Sequence, residues 1–180
     1  MLESRNKGGS PAAALRTFNP SYSEPMFEVL TFVYENYDPG EPCPEPAHLQ
    51  RKLSAVGFES DEIGDALTWL QGLEGAAQPA KQVPILIQPQ SGSMRIYPRY
   101  EQFHLGTQAM GFLSFLESSC AMPATIREVV IERAMAAPGG PVTLEDLKVI
   151  VLMVYWRFGQ EPDALLIDEL CGDSSDQPVH

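Results

Sequence analysis

Three side chains that can bind anions or nucleic-acid bases recur at every second position in the stretch SMRIYPR, residues 93–99. They are Arg95, Tyr97 and Arg99. An arginine fork binds a phosphate or a carboxylate with two parallel hydrogen bonds, and a neighbouring tyrosine can stack on a base or anchor a protein interface. These three residues are therefore the candidate binding residues of the chain.

The alternation of residue types in this stretch is also typical of a half-buried β-strand, in which successive side chains point to opposite faces. Met94 and Ile96 are then expected to face inward, while Arg95 and Tyr97 share the outer face and Arg99 extends it. Two interpretations remain open. The charges either protect an edge strand from aggregation, or they form a contact surface for a phosphate-bearing or protein partner.

Charge is spread unevenly along the chain, which has 12 Lys and Arg against 24 Asp and Glu and a formal net charge of -12. Residues 26–92 hold three basic and ten acidic side chains, residues 93–160 hold six of each, and residues 161–180 hold six acidic and no basic ones. An acidic chain repels nucleic acids and anionic membranes at long range. Nucleic acid is thus disfavoured as a direct partner, and a basic surface can form only within residues 93–160.

Three helices are predicted ahead of the candidate strand. Apolar residues at helical spacing indicate a first helix that begins at Pro25 and a second from His48 to Val56, which stops at Gly57. Ser60 is expected to cap a third helix, whose acidic first turn suits the positive end of the helix dipole. The short connection between the second and third helices has the layout of a helix-turn-helix.

Two short β-prone runs follow, PILIQ at 84–88 and SMRIY at 93–97, with Pro-Gln-Ser-Gly between them. This spacing predicts a β-hairpin, and three helices followed by a hairpin are the order of a winged-helix module. The third helix would be the recognition helix in DNA binding, yet its outward side is acidic or uncharged: Asp61, Glu62, Asp65, Thr68 and Gln71. We therefore interpret the module as one for packing or protein contact.

The second half of the chain is predicted to be helical throughout. A helix from Tyr100 to Ser118 has an apolar face made of Phe103, Thr107, Met110, Leu113 and Leu116. Helices are also expected over 123–137 and 144–158, and the second of these opens with a capping box formed by Thr143 and Asp146. Because residues 144–158 are apolar nearly all round, we predict that this helix lies at the centre of the core.

The expected fold class is mostly α, with a winged-helix-like N-terminal module (three helices plus a short β-hairpin) followed by a C-terminal helical bundle. The module covers residues 25–97 and the bundle covers residues 98–172, including a last helix over 162–170. Residues 1–24 and 173–180 lack apolar periodicity and are predicted to be a disordered extension and tail.

Other residues that could bind a metal or take part in catalysis lack the neighbouring residues that these functions require. Cys43 and His48 lie five residues apart, without a second Cys or His pair to complete a metal site. His104 lies in a predicted helix among apolar residues, and the chain has no recognisable nucleophile motif. The acidic pairs at 61–62 and 145–146 lie in helix first turns, where the dipole explains them. We predict no metal, no cofactor and no catalytic residue.

Compartment is indicated by the cysteines and by the length of the apolar runs. Cys43, Cys120 and Cys171 are an odd number at wide spacing, which favours free thiols in a reducing compartment. The longest strictly apolar run, residues 149–156, has eight residues, against the roughly 20 needed to cross a bilayer. The first residues do not have the pattern of a signal peptide. We expect a cytoplasmic protein without a membrane span.

Six segments closely resemble, in the same order, the bacterial Smg family: MFEVLTFVYENY (26–37), GFESDEIGDALTWLQGL (57–73), SMRIY (93–97), GFLSFLE (111–117), REVVIERAMA (127–136) and LEDLKVIVLMVYW (144–156). The resemblance implies a cytoplasmic bacterial protein whose family body begins at Met26, and it supplies no catalytic residues. Genes of this family often lie beside DNA-processing genes, an association with nucleic-acid metabolism. At 98–101 the usual Thr-Pro-Glu-Glu is replaced by Pro-Arg-Tyr-Glu, so Arg99 is a departure from the family pattern.

We therefore predict a non-catalytic cytoplasmic interaction or adaptor protein, linked to nucleic-acid metabolism through a protein partner. The alternative is a winged-helix protein that binds nucleic acid directly through Arg95, Tyr97 and Arg99 on its wing. A third possibility, an enzyme without a familiar motif, requires a concave pocket with convergent polar groups.

Overall fold

Six α-helices make up the regular structure in residues 25–39, 44–82 and 95–160, which the computed structural model describes; for residues 77–82 it describes the backbone alone. The helices are α1 (Pro25–Asn36), α2 (Pro46–Val56), α3 (Ser60–Gln82), α4 (Arg99–Ser118), α5 (Ala124–Met135) and α6 (Leu144–Phe158). Those ranges contain no β-strand. The predicted helical class is confirmed.

The winged-helix part of the prediction finds no support in the described residues. Residues 84–88 and the first two residues of the run 93–97 lie outside them, so the hairpin itself stays a prediction. Residues 95–98 are not helical and do not pair as a strand with any described residue. They form a short connection that leads directly into α4.

Helix α6 lies at the centre of the core, as its sequence predicts. The predicted capping box is present, since the Asp146 N–H donates to Thr143 Oγ1 at 3.1 Å and the Thr143 N–H donates to Asp146 Oδ2 at 3.3 Å. Every side chain from 146 to 157 is buried, and α6 packs against α1, α3, α4 and α5. Among the described helices, none combines the length and the apolar character required to cross a bilayer.

The turn between α2 and α3 forms where the sequence predicts it. Gly57 adopts the left-handed conformation with φ 114°, and the N–H groups of Gly57 and Phe58 both donate to the Leu53 carbonyl. The predicted cap of α3 is wrong by one residue. Ser60 is already helical, and the N–H of Glu59 is satisfied by Glu62 Oε2 at 3.0 Å, because the longer glutamate side chain reaches back one turn.

Helix α4 is kinked at Gly106, which has φ 71° and ψ 171°. The kink frees the carbonyl of His104 from the helix, and this carbonyl accepts the Val142 N–H at 2.8 Å. The buried face of α4 differs in part from the predicted apolar face. Leu113 and Leu116 are buried as predicted, together with Leu105, Ala109 and Phe112, whereas Phe103 and Thr107 are exposed.

A single cluster of buried apolar side chains spans all six helices. Two indole groups tie distant elements together: Trp156 Nε1 donates to the Tyr37 carbonyl at 3.0 Å, and Trp69 Nε1 donates to the Arg133 carbonyl at 3.0 Å. The division into units over 25–97 and 98–172 stays a prediction. Residues 1–24 and 161–180, which include the predicted last helix, lie outside the described residues.

Candidate functional site

Arg95 forms salt bridges with two glutamates, each of which belongs to a different helix. Its Nη1 donates to Glu101 Oε2 of α4 at 2.5 Å, and its Nε and Nη2 donate to the Glu128 carboxylate of α5 at 2.9 and 3.0 Å. The guanidinium also lies over the Tyr97 ring, 4.6 Å from its centroid. The hydrogen bond to Glu101 raises the pKa of Arg95, and the bonds to Glu128 add to this effect against the cost of burial.

Glu128 extends the ion pair into a network with Arg127. Arg127 Nη2 donates to Glu128 Oε1 at 2.8 Å, and its Nη1 donates to Glu117 of α4. Burial opposes ionisation of Glu128, but the hydrogen bonds from both arginines outweigh it and hold the pKa of this carboxyl below its usual value. We call Arg95, Glu101, Glu117, Arg127 and Glu128 the ion-pair network. It contains one more negative group than positive.

Tyr97 also holds the connection before α4 against the protein. Its ring is half-buried against the apolar core, and burial raises the pKa of its hydroxyl. Gln102 Nε2 donates to the Tyr97 carbonyl at 2.6 Å, which ties the connection to the first turn of α4. Both side chains that the alternation predicted on the outer face, Arg95 and Tyr97, therefore face the protein.

Ile96 consequently points to solvent, with 87% of its surface exposed. The predicted orientation of this stretch is wrong because the strand pattern identifies two alternating faces but not which of them is inward. Inward arginine is favourable here because α4 and α5 supply carboxylates for it. Met94, predicted inward, lies outside the described residues.

Exposed apolar side chains continue from Ile96 into α4. Tyr100 is 64% exposed and Phe103 is 80% exposed. Arg99, Tyr100 and Phe103 share one side of the helix, because residues three and four positions apart are neighbours on a helix surface. We call Ile96, Arg99, Tyr100 and Phe103 the α4 N-terminal patch.

Arg99 differs from the other cations of residues 95–160, each of which has a carboxylate partner. Arg133 pairs with Glu132 at 3.0 Å, Lys148 with Glu145 at 3.6 Å and Arg157 with Glu74 through Nε at 2.7 Å. Arg95 and Arg127 belong to the ion-pair network. Arg99 is exposed and makes no ion pair with any residue that the structure describes. The expected basic surface is therefore reduced to this one residue.

The remaining histidine and cysteine candidates within the described residues are not brought together in one site. His104 is half-buried, and its Nε2 donates to the Ala134 carbonyl at 3.2 Å. His48 is exposed on α2, while Cys43 lies outside the described residues. Cys120 is a free, exposed thiol, as predicted for it. In the described ranges no three His, Cys, Asp or Glu side chains are grouped closely enough to hold a metal ion.

Sequence reasoning identified Arg99 but missed Ile96, Tyr100 and Phe103. The helical-spacing rule assigned Phe103 to the buried stripe of α4, but the helix buries a neighbouring stripe at the same spacing, which begins with Glu101 and Leu105. No local signal separates the two stripes, because the stripe that is buried includes the charged Glu101.

Comparison with known proteins places the chain in a family. Residues 26–180 match the family model described as "Protein of unknown function (DUF494)". Proteins named "Protein Smg homolog" from Leptothrix cholodnii and Methylibium petroleiphilum are 54% and 51% identical over 156 and 155 residues, which cover 86% of this chain and 100% of each relative. A third, from Bordetella petrii, is 43% identical over 155 residues with the same coverage. The chain belongs to this bacterial Smg family, which confirms the predicted resemblance. No solved structure matches it.

Proposed function

We propose that this chain is a non-catalytic cytoplasmic interaction protein that binds a protein partner through the α4 N-terminal patch. The observation that carries the proposal is the exposure of three large apolar side chains, Ile96, Tyr100 and Phe103, within eight residues of sequence. Elsewhere the described helices bury their large apolar side chains efficiently, with only Val56 and Phe115 also exposed. Clustered exposed apolar groups are typical of surfaces that another molecule covers.

The residue types of the patch suit a protein interface. Tyrosine and arginine are enriched among the few residues that supply most of the binding free energy at such interfaces. Phenylalanine adds a large apolar contact area with only two rotatable side-chain bonds. The ion-pair network holds the connection before α4 in one conformation, so binding orders little additional backbone.

Arg95 and Tyr97 act in this proposal as the residues that hold the patch in position. Whether either of them also contacts a partner stays a prediction. The acidic outward side of α3, with Asp61 and Asp65 exposed, supports packing or protein contact as the role of the α2–α3 pair. A winged-helix arrangement with a hairpin over 84–97 is not required.

The link to nucleic-acid metabolism is part of the same proposal. A chain with a formal net charge of -12 is repelled by nucleic acid at long range, so it would reach such a process through a protein partner. Direct binding through Arg95, Tyr97 and Arg99 would require free cations, and Arg95 is already neutralised by Glu101 and Glu128.

Affinity capture with matched variants tests this function. The tagged chain, its Phe103→Ala variant and a Val56→Ala variant are each incubated with lysate of the native bacterium. Val56 is 55% exposed on α2 and is the control for loss of an exposed apolar side chain. We expect one protein that the parent chain and the Val56 variant retain and the Phe103 variant loses. A partner set unaffected by Phe103→Ala, or no reproducible partner, would contradict the proposal.

A further inference from the structure

We propose that the segment docking on the α4 N-terminal patch is an amphipathic peptide that presents a carboxylate beside its apolar side chains. This inference rests on the proposed function and names the chemistry of the partner. It follows from the position of Arg99 among Ile96, Tyr100 and Phe103 and from the absence of any ion-pair partner for Arg99 in the described residues.

Arg99 indicates which kind of group the partner places beside it. A partner that covers Tyr100 and Phe103 also removes water from Arg99, because these three residues share one side of the first turns of α4. A desolvated guanidinium is unfavourable unless an acceptor replaces the lost water, and a carboxylate matches its fork with two hydrogen bonds. Pro98, the N-cap residue of α4, contributes no side-chain acceptor. Because no described residue offers Arg99 a free acceptor, we expect the partner to supply one.

The nearby carboxylates cannot supply this acceptor without breaking existing pairs. Glu101, two residues from Arg99, is buried and bonded to Arg95. Glu128 and Glu117 are each bonded to Arg127, and Glu128 is bonded to Arg95 as well. In the part of the chain that the structure describes, the carboxylates of the network are all bonded to its own arginines, and Arg99 lies outside the network.

A second copy of the chain fits the patch poorly. A symmetric dimer buries the same patch of both copies, which would place Arg99 of one copy close to the equivalent arginine of the other. Two chains that each carry a formal net charge of -12 also repel one another at long range. A separate segment with its own carboxylate avoids the first of these costs.

Single-stranded nucleic acid could stack on the exposed aromatic rings, but its phosphates need several cations. The patch offers Arg99 alone, next to a network with an excess of negative charge. Protein is therefore the class of partner that the patch favours.

Selection from a random peptide library displayed on phage, against the purified full chain, tests this inference. We expect the enriched peptides to combine Asp or Glu with large apolar residues. Phe103→Ala should weaken their binding about tenfold or more, as truncation of a central interface aromatic does. Arg99→Glu should exchange the preference for acidic residues for one for Lys or Arg, while Arg51→Glu, which changes an exposed arginine on α2, should leave it unchanged.

The outcomes separate this inference from the proposed function. Peptides that depend on Phe103 but show no acidic preference would overturn the carboxylate and leave the interaction surface standing. An absence of peptides that depend on Phe103 would overturn both. A dimer in sedimentation equilibrium that Phe103→Asp dissociates would assign the patch to a second copy. Binding of a labelled single-stranded oligonucleotide that Phe103→Ala abolishes would assign it to nucleic acid.

Discussion

Helix α6 and the first turns of α4 both carry large apolar side chains, but they place them in opposite environments. In α6 every side chain from 146 to 157 is buried, including Lys148 and Arg157, which have carboxylate partners. In α4 the bulky residues Tyr100 and Phe103 face solvent, while the acidic Glu101 between them is buried against Arg95. Residue type alone therefore does not decide burial in this protein.

This difference indicates which apolar surface of the protein is available for binding. Four helices surround α6, so its apolar surface is fully used within the fold. The connection before α4 faces the protein through Arg95 and Tyr97, and the first turn of α4 does so through Glu101, which leaves the apolar side of this region without a cover among the described residues. The free energy of covering that side remains available for a partner.

The largest expected difference between the two regions is the loss of stability when one apolar side chain is removed from each. Leu147→Ala should lower the free energy of unfolding by about 2 to 5 kcal/mol, because Leu147 is fully buried and its removal leaves a cavity. Phe103→Ala should change it by less than about 0.5 kcal/mol, since the ring is mostly exposed. Urea unfolding measures both. Equal losses would mean that Phe103 belongs to the core.

A second test compares two arginines four residues apart. Arg95→Ala should cost about 1 to 3 kcal/mol, because it leaves the buried Glu101 without its partner. Arg99→Ala is the matched control and should cost less than about 0.5 kcal/mol. The cost of Arg95→Ala should fall when Glu101→Gln is already present. Additive losses in this double-mutant cycle would argue against the pair.

A third test sharpens the contrast within the packed region, at the contact of α3 with α5. A Cβ on Gly72 would overlap the guanidinium of Arg133, so Gly72→Ala should displace this buried side chain and cost about 1 kcal/mol or more. Gly64→Ala lies in the same helix with open space around it and should stabilise the protein by about 0.5 to 1 kcal/mol. Thermal unfolding of the two variants would contradict the packing if both shifted in the same direction.

The smallest expected effect concerns pH. The folded state holds the pKa of Glu128 below its ordinary value of 4.5, so its contribution is present above that value and is lost as pH falls through the lower folded pKa. Glu128→Gln should therefore flatten the acid side of the stability profile. Glu132→Gln, one helical turn further along α5, is the control for loss of an exposed carboxylate outside the network. Identical profiles for the parent chain and Glu128→Gln would show that the network does not contribute.

Sequence patterns were sufficient where a single local rule applied. The continuous apolar character of 144–158, the capping box at Thr143 and Asp146, and the stop at Gly57 each predict a feature that the structure confirms. The family was also recognisable from ordered segments alone. These features depend on residues close together in the chain.

Features that depend on distant partners could not be predicted in the same way. The inward orientation of Arg95 requires Glu128, which is 33 residues away and belongs to another helix. The exposure of Phe103 follows from the burial of Glu101 and Leu105 on another side of α4, which the packing of this helix against α5 and α6 determines. In both cases a tertiary contact overrides a local pattern.

Photo-crosslinking in living cells tests the proposed interaction surface most directly. A photoreactive phenylalanine analogue is placed at position 103 in one strain and at position 56, as an exposed control on α2, in another. We predict one reproducible crosslinked protein at position 103 that is absent at position 56, and its loss when Arg99→Glu is introduced. Identical products at the two positions, or none at position 103, would contradict a partner-binding role for the α4 N-terminal patch.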